Sequence, residues 1–132
     1  MRIVDTNYLV RLFTNQPRGM ALKALNDLEK SEPGSVLVPD FVISELIYVL
    51  EFHDELSYKR ADILEGVRLI LSHPALKIDN KLHEKALDIY ESTKLDYVDC
   101  LTLAIYKLGQ ADSVLTFDKA MLKELRSSNT ES

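Results

Sequence analysis

Hydrophobic and polar positions along this chain fall into short apolar runs separated by longer amphipathic stretches. Ile3 and Val4, β-branched as a buried strand prefers, make the first run, and it stops at Asp5. Leu9, Val10, Leu12 and Phe13 then recur at helical spacing and predict a short helix over 7–15, punctuated by Pro17 and Gly19. Ala21, Ala24, Leu25 and Leu28 place a second helix over 20–30, and Pro33 and Gly34 mark a turn before a strand at 36–38. Asp40 reads as the cap of a mostly buried helix over 41–52, where Val42, Ile43, Leu46, Ile47, Val49 and Leu50 cover more than one stripe. A break at 56–58, with Ser57 as N-cap, opens a helix to 72, and 76–78 reads as a brief edge-like strand. Asp79 or Asn80 caps a helix over 81–92 with Leu82, Ala86, Leu87 and Ile89 inward. The most apolar helix spans 97–108 and ends at the C-cap signal Gly109. A strand at 113–116 turns through Phe117 and Asp118 into a last helix over 119–126, and the polar tail 127–132 is expected to be disordered.

Strands that alternate with single or paired helices predict an α/β fold with a short parallel sheet covered on both faces. A chain of 132 residues suits one domain, placed at 1–126. With 46% hydrophobic and 28% charged residues it has the composition of a soluble globular protein. Its longest apolar runs are too short to span a membrane. No apolar h-region precedes a cleavage site, so a cytoplasmic setting is expected. Cys100, the only cysteine, has no partner for an internal disulfide, and His53, His73 and His83 are too scattered for a zinc site.

The net charge of −5 argues against a nucleic-acid binder when taken alone. A cation held by carboxylates weakens that objection by reversing the local field. Lys23 with Lys30, Lys59 with Arg60, and Lys119 with Lys123 gather positive charge, as phosphate contacts or as ordinary solvated helix faces.

Four acids stand out by position. Asp5 ends a strand, at the edge of an open α/β sheet where ligands bind; Asp118 follows another strand; Glu45 and Asp99 interrupt helices built otherwise from core residues. A buried carboxylate is costly unless paired or metal-bound, and Lys and Arg are scarce nearby. Carboxylate oxygens suit Mg²⁺ and Mn²⁺. Each acid also has an ordinary reading: Asp5 as a helix cap, Glu45 on a polar stripe with Ser44 and Glu51, and Asp99 on one with Thr102 and Tyr106. Asp96, three residues before Asp99, reads as an N-cap.

At these positions the chain resembles the PIN-domain ribonucleases. Val4-Asp5-Thr6-Asn7 is similar to that family's opening motif, Ser44-Glu45-Leu46 to its second acidic position, Asp99 between Val98 and Cys100 to its third, and Leu115-Thr116-Phe117-Asp118 to its fourth. Length and the lack of an extra domain resemble the VapC-type toxins of toxin–antitoxin pairs. The resemblance implies a PIN-like three-layer sandwich and a Mg²⁺- or Mn²⁺-dependent endoribonuclease acting on RNA. It further implies a homodimer inhibited by a cognate antitoxin protein, with Asp5, Glu45, Asp99 and Asp118 catalytic and metal-binding. Thr6, Asn7, Thr116 and Asp96 are the supporting candidates, as groups that orient the acids or merely cap and turn the chain. The helices carrying Leu9 to Phe13 and Phe41 to Phe52 are the candidate dimer faces. Three other classes compete. A response-regulator receiver wants a phosphoacceptor Asp after the 36–38 strand, where Asp40 reads as a helix cap. A haloacid-dehalogenase-like phosphotransfer enzyme wants a second Asp where Asn7 stands and a catalytic Lys with no clear position here; a non-catalytic PIN-like binding module would share the fold without turnover.

Overall fold

The computed structural model describes residues 1–53 and 57–130. Among them are seven helices and three short strands, in two compact units, Met1–Asp79 and Asn80–Ser132.

The first unit is built on a parallel sheet of order β1-β2-β3, with β1 at Arg2–Ile3, β2 at Val36–Leu37 and β3 at Leu76–Lys77. Arg2 aligns with Val36 and Val36 with Leu76, and Ile3 aligns with Leu37 and Leu37 with Lys77. The 36–38 segment is therefore central and 76–78 an edge. Parallel neighbours need long crossovers, and paired helices supply them. Helices α1 (Thr6–Thr14) and α2 (Arg18–Glu29) join β1 to β2, and α3 (Asp40–Phe52) and α4 (Arg60–Leu71) join β2 to β3. Val4 and Val38, just past their strands, are buried and keep the ladder going, with the Val4 and Val38 N–H groups donating to Leu37 and Lys77 carbonyls.

Leu9 from α1, Ile43, Leu46, Ile47 and Leu50 from α3, and Ile63 and Val67 from α4 form a core with almost no exposure. Helix α4 starts at Arg60 with Lys59 in the N-cap place, not after the expected N-cap Ser57, which lies outside it with a positive φ of 41°. Part of the expected break, residues 54–56, lies outside the described residues. Helices α1 and α4 approach closely at Gly66, where a Cβ would collide with the Phe13 ring. That ring is held edge-on against Tyr58, with centroids 5.0 Å apart.

The second unit is helical. Helix α5 (Asn80–Ser92) packs on α6 (Tyr97–Lys107), and α7 (Lys119–Thr130) follows. Where α5 packs on α6, Ala86, Leu87 and Tyr90 of the one and Cys100, Leu103 and Ala104 of the other are fully buried. His83, the buried polar residue of this core, has its Nδ1 2.7 Å from the Tyr97 hydroxyl. Gly109 has φ 77°, with its N–H bonded to the Tyr106 carbonyl and that of Gln110 to Ile105, the paired closure that a left-handed C-terminal glycine permits.

Further expectations are corrected here. Asp40, read as a cap, is the first residue of α3, with Pro39 in the N-cap place. Residues 113–116 form no strand, because a strand exists only through its ladder and this unit offers none to join; Leu115 is left exposed. Helix α7 continues past Arg126 to Thr130, so 127–130 extend the helix, while 131–132 lie outside the described residues.

Gly66→Ala would gain roughly 1 kcal/mol of helix propensity and lose about 1–3 kcal/mol to overpacking against Phe13. A net loss is expected, read as a lower urea midpoint; an unchanged or raised midpoint would contradict the close α1–α4 packing.

Candidate metal-binding acids

In the first unit the acids sit where strands hand over to helices. Asp5 leaves β1 in extended conformation and caps α1, its Oδ1 accepting from the Tyr8 N–H at 3.0 Å. The cap reading and the ligand reading are therefore compatible: one oxygen satisfies the helix, and Oδ2 has no protein partner among the described residues. Thr6, the first helical residue, donates from Oγ1 to Glu45 Oε2 at 2.6 Å. This bond ties the start of α1 to the second turn of α3 and fixes the Glu45 carboxylate. Asn7 is exposed beside Asp5.

Glu45 is not the buried charge that its helix suggested. It is exposed, because α3 buries Val42, Ile43, Leu46, Ile47 and Leu50 on one side and turns Phe41, Glu45, Tyr48 and Phe52 the other way. Asp5 and Asp118 are exposed as well, and only Asp99 is half-buried.

In the second unit Asp96 caps α6 as expected, its Oδ1 accepting from the Asp99 N–H at 3.0 Å. Asp118 Oδ1 accepts from the Met121 N–H at 2.9 Å at the head of α7, and its own N–H donates to Thr116 Oγ1 at 3.0 Å. Thr116 thus shapes the turn that presents Asp118. Burial raises the Asp99 carboxyl above the usual aspartate range, and the charges of Asp96 and then Asp118 raise it further. Helix N-termini favour the three capping carboxylates. None of Asp5, Glu45, Asp99 and Asp118 has a Lys or Arg ion-pair partner among the described residues.

Carboxylates with an uncommitted oxygen and no competing base suit a hard divalent cation. The first unit holds Asp5 and Glu45 on either side of Thr6, and the second holds Asp99 within the fields of Asp96 and Asp118. Among the described residues no group of three or more His, Cys, Asp or Glu is gathered tightly enough to cage an ion. No described helix is long and apolar enough to cross a membrane.

A second network beside Asp5 was not anticipated. The Tyr8 hydroxyl donates to the Ala24 carbonyl at 2.9 Å and lies 3.2 Å from Asp27 Oδ2, while Arg2 pairs with Asp27 at 3.0 Å and also reaches Ser31. Burial, then Asp27, raises the Tyr8 phenol above its usual value, with Arg2 opposing. The i, i+3 spacing of Asp5, Tyr8 and Arg11 was the available signal for one shared face. Nothing local announced Arg2, which lies 25 residues from Asp27.

The raised Asp99 carboxyl has a defined consequence for stability. Where the folded pKa exceeds the unfolded one, the folded state holds more protons between them, so stability falls as pH rises through that window and the penalty is complete above it. In metal-free buffer Asp99→Asn should therefore melt slightly above the wild type near pH 7, with the gap closing below the ordinary aspartate value of 3.8. A variant that melts at or below the wild type at pH 7 would contradict the strain at this position.

A family model described as PIN domain matches residues 2–126. No curated protein and no solved structure matches the chain. The PIN domain is a nuclease-type fold whose members are generally metal-dependent nucleases of RNA or DNA. Matched over nearly its whole length, with an α/β architecture of seven helices and a three-stranded parallel sheet, this chain belongs to the PIN-domain family.

Proposed function

We propose that this protein is a Mg²⁺- or Mn²⁺-dependent endoribonuclease, a single domain over 1–126 that hydrolyses RNA phosphodiester bonds as the toxin of a type II toxin–antitoxin pair of the VapC type. The observation that carries this reading is a set of four carboxylates, none paired with a base among the described residues, in a chain of a nuclease family.

Asp5, Glu45, Asp99 and Asp118 are the residues that would hold the ion. A divalent cation held by these acids would supply a water acidified towards neutral pH and a positive charge against the phosphate oxygens. The chain's own part is to aim these carboxylates. The Tyr8 amide pins one oxygen of Asp5, and the Thr6 hydroxyl pins one of Glu45. The Asp96 cap sets the first turn from which Asp99 projects, and Thr116 fixes the turn before Asp118. The product expected from this class of hydrolysis carries a 5′-phosphate and a 3′-hydroxyl.

The reading includes a cytoplasmic homodimer held inactive by a separate antitoxin protein. Of the two candidate dimer faces, α3 is better supported: Phe41, Tyr48 and Phe52 are each more than half exposed along one side, whereas Leu9 of α1 is fully buried.

Purified protein, freed of partners, should cut structured RNA with Mg²⁺ or Mn²⁺ and not with EDTA. Asp5→Ala or Asp99→Asn should lower cutting by about 100-fold or more with unchanged circular dichroism. Full activity in either variant, or cutting in EDTA, would remove these acids from the mechanism. Folded protein that cuts nothing under any of these conditions would favour the non-catalytic binding module.

A further inference from the structure

Between α1 and α2, within Met1–Asp79, lies an open groove of about 640 Å³ lined by Asp5, Asn7, Tyr8 and Arg11 on one side and by Lys23 and Lys30 on the other. The chain carries a net charge of −5, yet this groove is lined by three basic residues, Arg11, Lys23 and Lys30, against two acids, Asp5 and Asp27. Arg11, Lys23 and Lys30 have no acidic partner among the described residues. Asp27, which also lines the groove, is already matched by Arg2 and the Tyr8 hydroxyl. Lys23 of α2 and Lys30, the residue that caps its C-terminus, are seven positions apart, about 10 Å along the axis, which is longer than a single nucleotide step. On α1, Asp5, Tyr8 and Arg11 rise one turn at a time along the facing side.

The geometry points to this groove as the track that holds one single-stranded flank of an RNA substrate, with Arg11, Lys23 and Lys30 meeting phosphates along the strand and the Tyr8 ring offering a stacking face. A charged groove interleaved with an aromatic is how single strands are held without reading their sequence. The assignment rests on the nuclease reading, since it makes the groove lead to Asp5. An acidic peptide would meet the same cations, but at the Asp5 end it would face a carboxylate and an exposed amide, and a phosphodiester strand has reason to reach a carboxylate that holds a cation.

The test is binding without cutting: fluorescence anisotropy of a labelled oligouridylate in EDTA, across a salt series. Lys23→Gln/Lys30→Gln should reduce the slope of log K against log salt by about 2, and Arg11→Gln by about 1, with circular dichroism unchanged. Lys81→Gln/Lys94→Gln, exposed lysines of the other unit, serves as the control and should keep the wild-type slope. Wild-type binding by the groove variants overturns the assignment, as does an equal loss in the control. So does a labelled oligoglutamate that binds the wild type more tightly than the RNA and is lost in the groove variants. The two readings fail separately. Metal-dependent cutting with an unaltered salt slope removes the groove and keeps the nuclease, while a lowered slope in a protein that cuts nothing keeps the groove and removes the nuclease.

Discussion

Parallel pairing of β1, β2 and β3 is the constraint from which the first unit follows. Each strand is only two residues long, so the sheet holds together because long crossovers return the chain to the same end each time; Val4, Val36, Val38 and Leu76 are buried, whereas Ile3, expected in a buried strand, is exposed. Every strand must then give way to a helix at its carboxyl end, and the unpaired amides of that helix start require an acceptor. Asp5 meets the requirement after β1 by spending one carboxylate oxygen. The other oxygen remains at the sheet edge where ligands bind in open α/β folds. The position that stabilises the fold and the position that suits a cation are the same.

The Thr6–Glu45 hydrogen bond extends this economy. It joins the beginnings of two crossovers 39 residues apart in sequence and orients an acid that is otherwise free in solvent. In the second unit the same device recurs twice, at Asp96 before α6 and at Asp118 before α7. Asp99 is the exception, since its carboxyl caps nothing, is partly desolvated and lies in the field of two other acids. Strain of this kind is relieved by a proton or a cation, and at neutral pH a divalent ion is the more effective of the two.

Much of this was legible in the residues. The order of the first three strands and the helices, the edge-like 76–78 and the left-handed Gly109 were read from period and turn chemistry. So were the caps at Asp5 and Asp96. Glu45 was open to both readings because Val42, Ile43, Leu46, Ile47, Val49 and Leu50 cover more than one stripe of α3, while Ser44 and Glu51 offered it a polar one, and the structure takes the exposed reading. Phe41, Tyr48 and Phe52 are exposed, and Glu45 lies among them. Residues 113–116 have strand-like composition, but a ladder needs a partner, and composition cannot supply one. The run of Ser127, Ser128, Asn129 and Thr130 consists of weak helix formers, which concealed that α7 simply continues. The Arg2–Asp27 pair and the Phe13–Gly66 approach are contacts between residues distant in sequence, beyond the reach of any local pattern.

The central claim is that these carboxylates hold a divalent ion, and titration of Mn²⁺ into metal-free protein, followed by calorimetry, tests it most directly. The account predicts saturable binding by the wild type that weakens by about tenfold or more in Asp5→Ala and in Asp99→Asn. No saturable binding, or the same affinity in all three proteins, would contradict it.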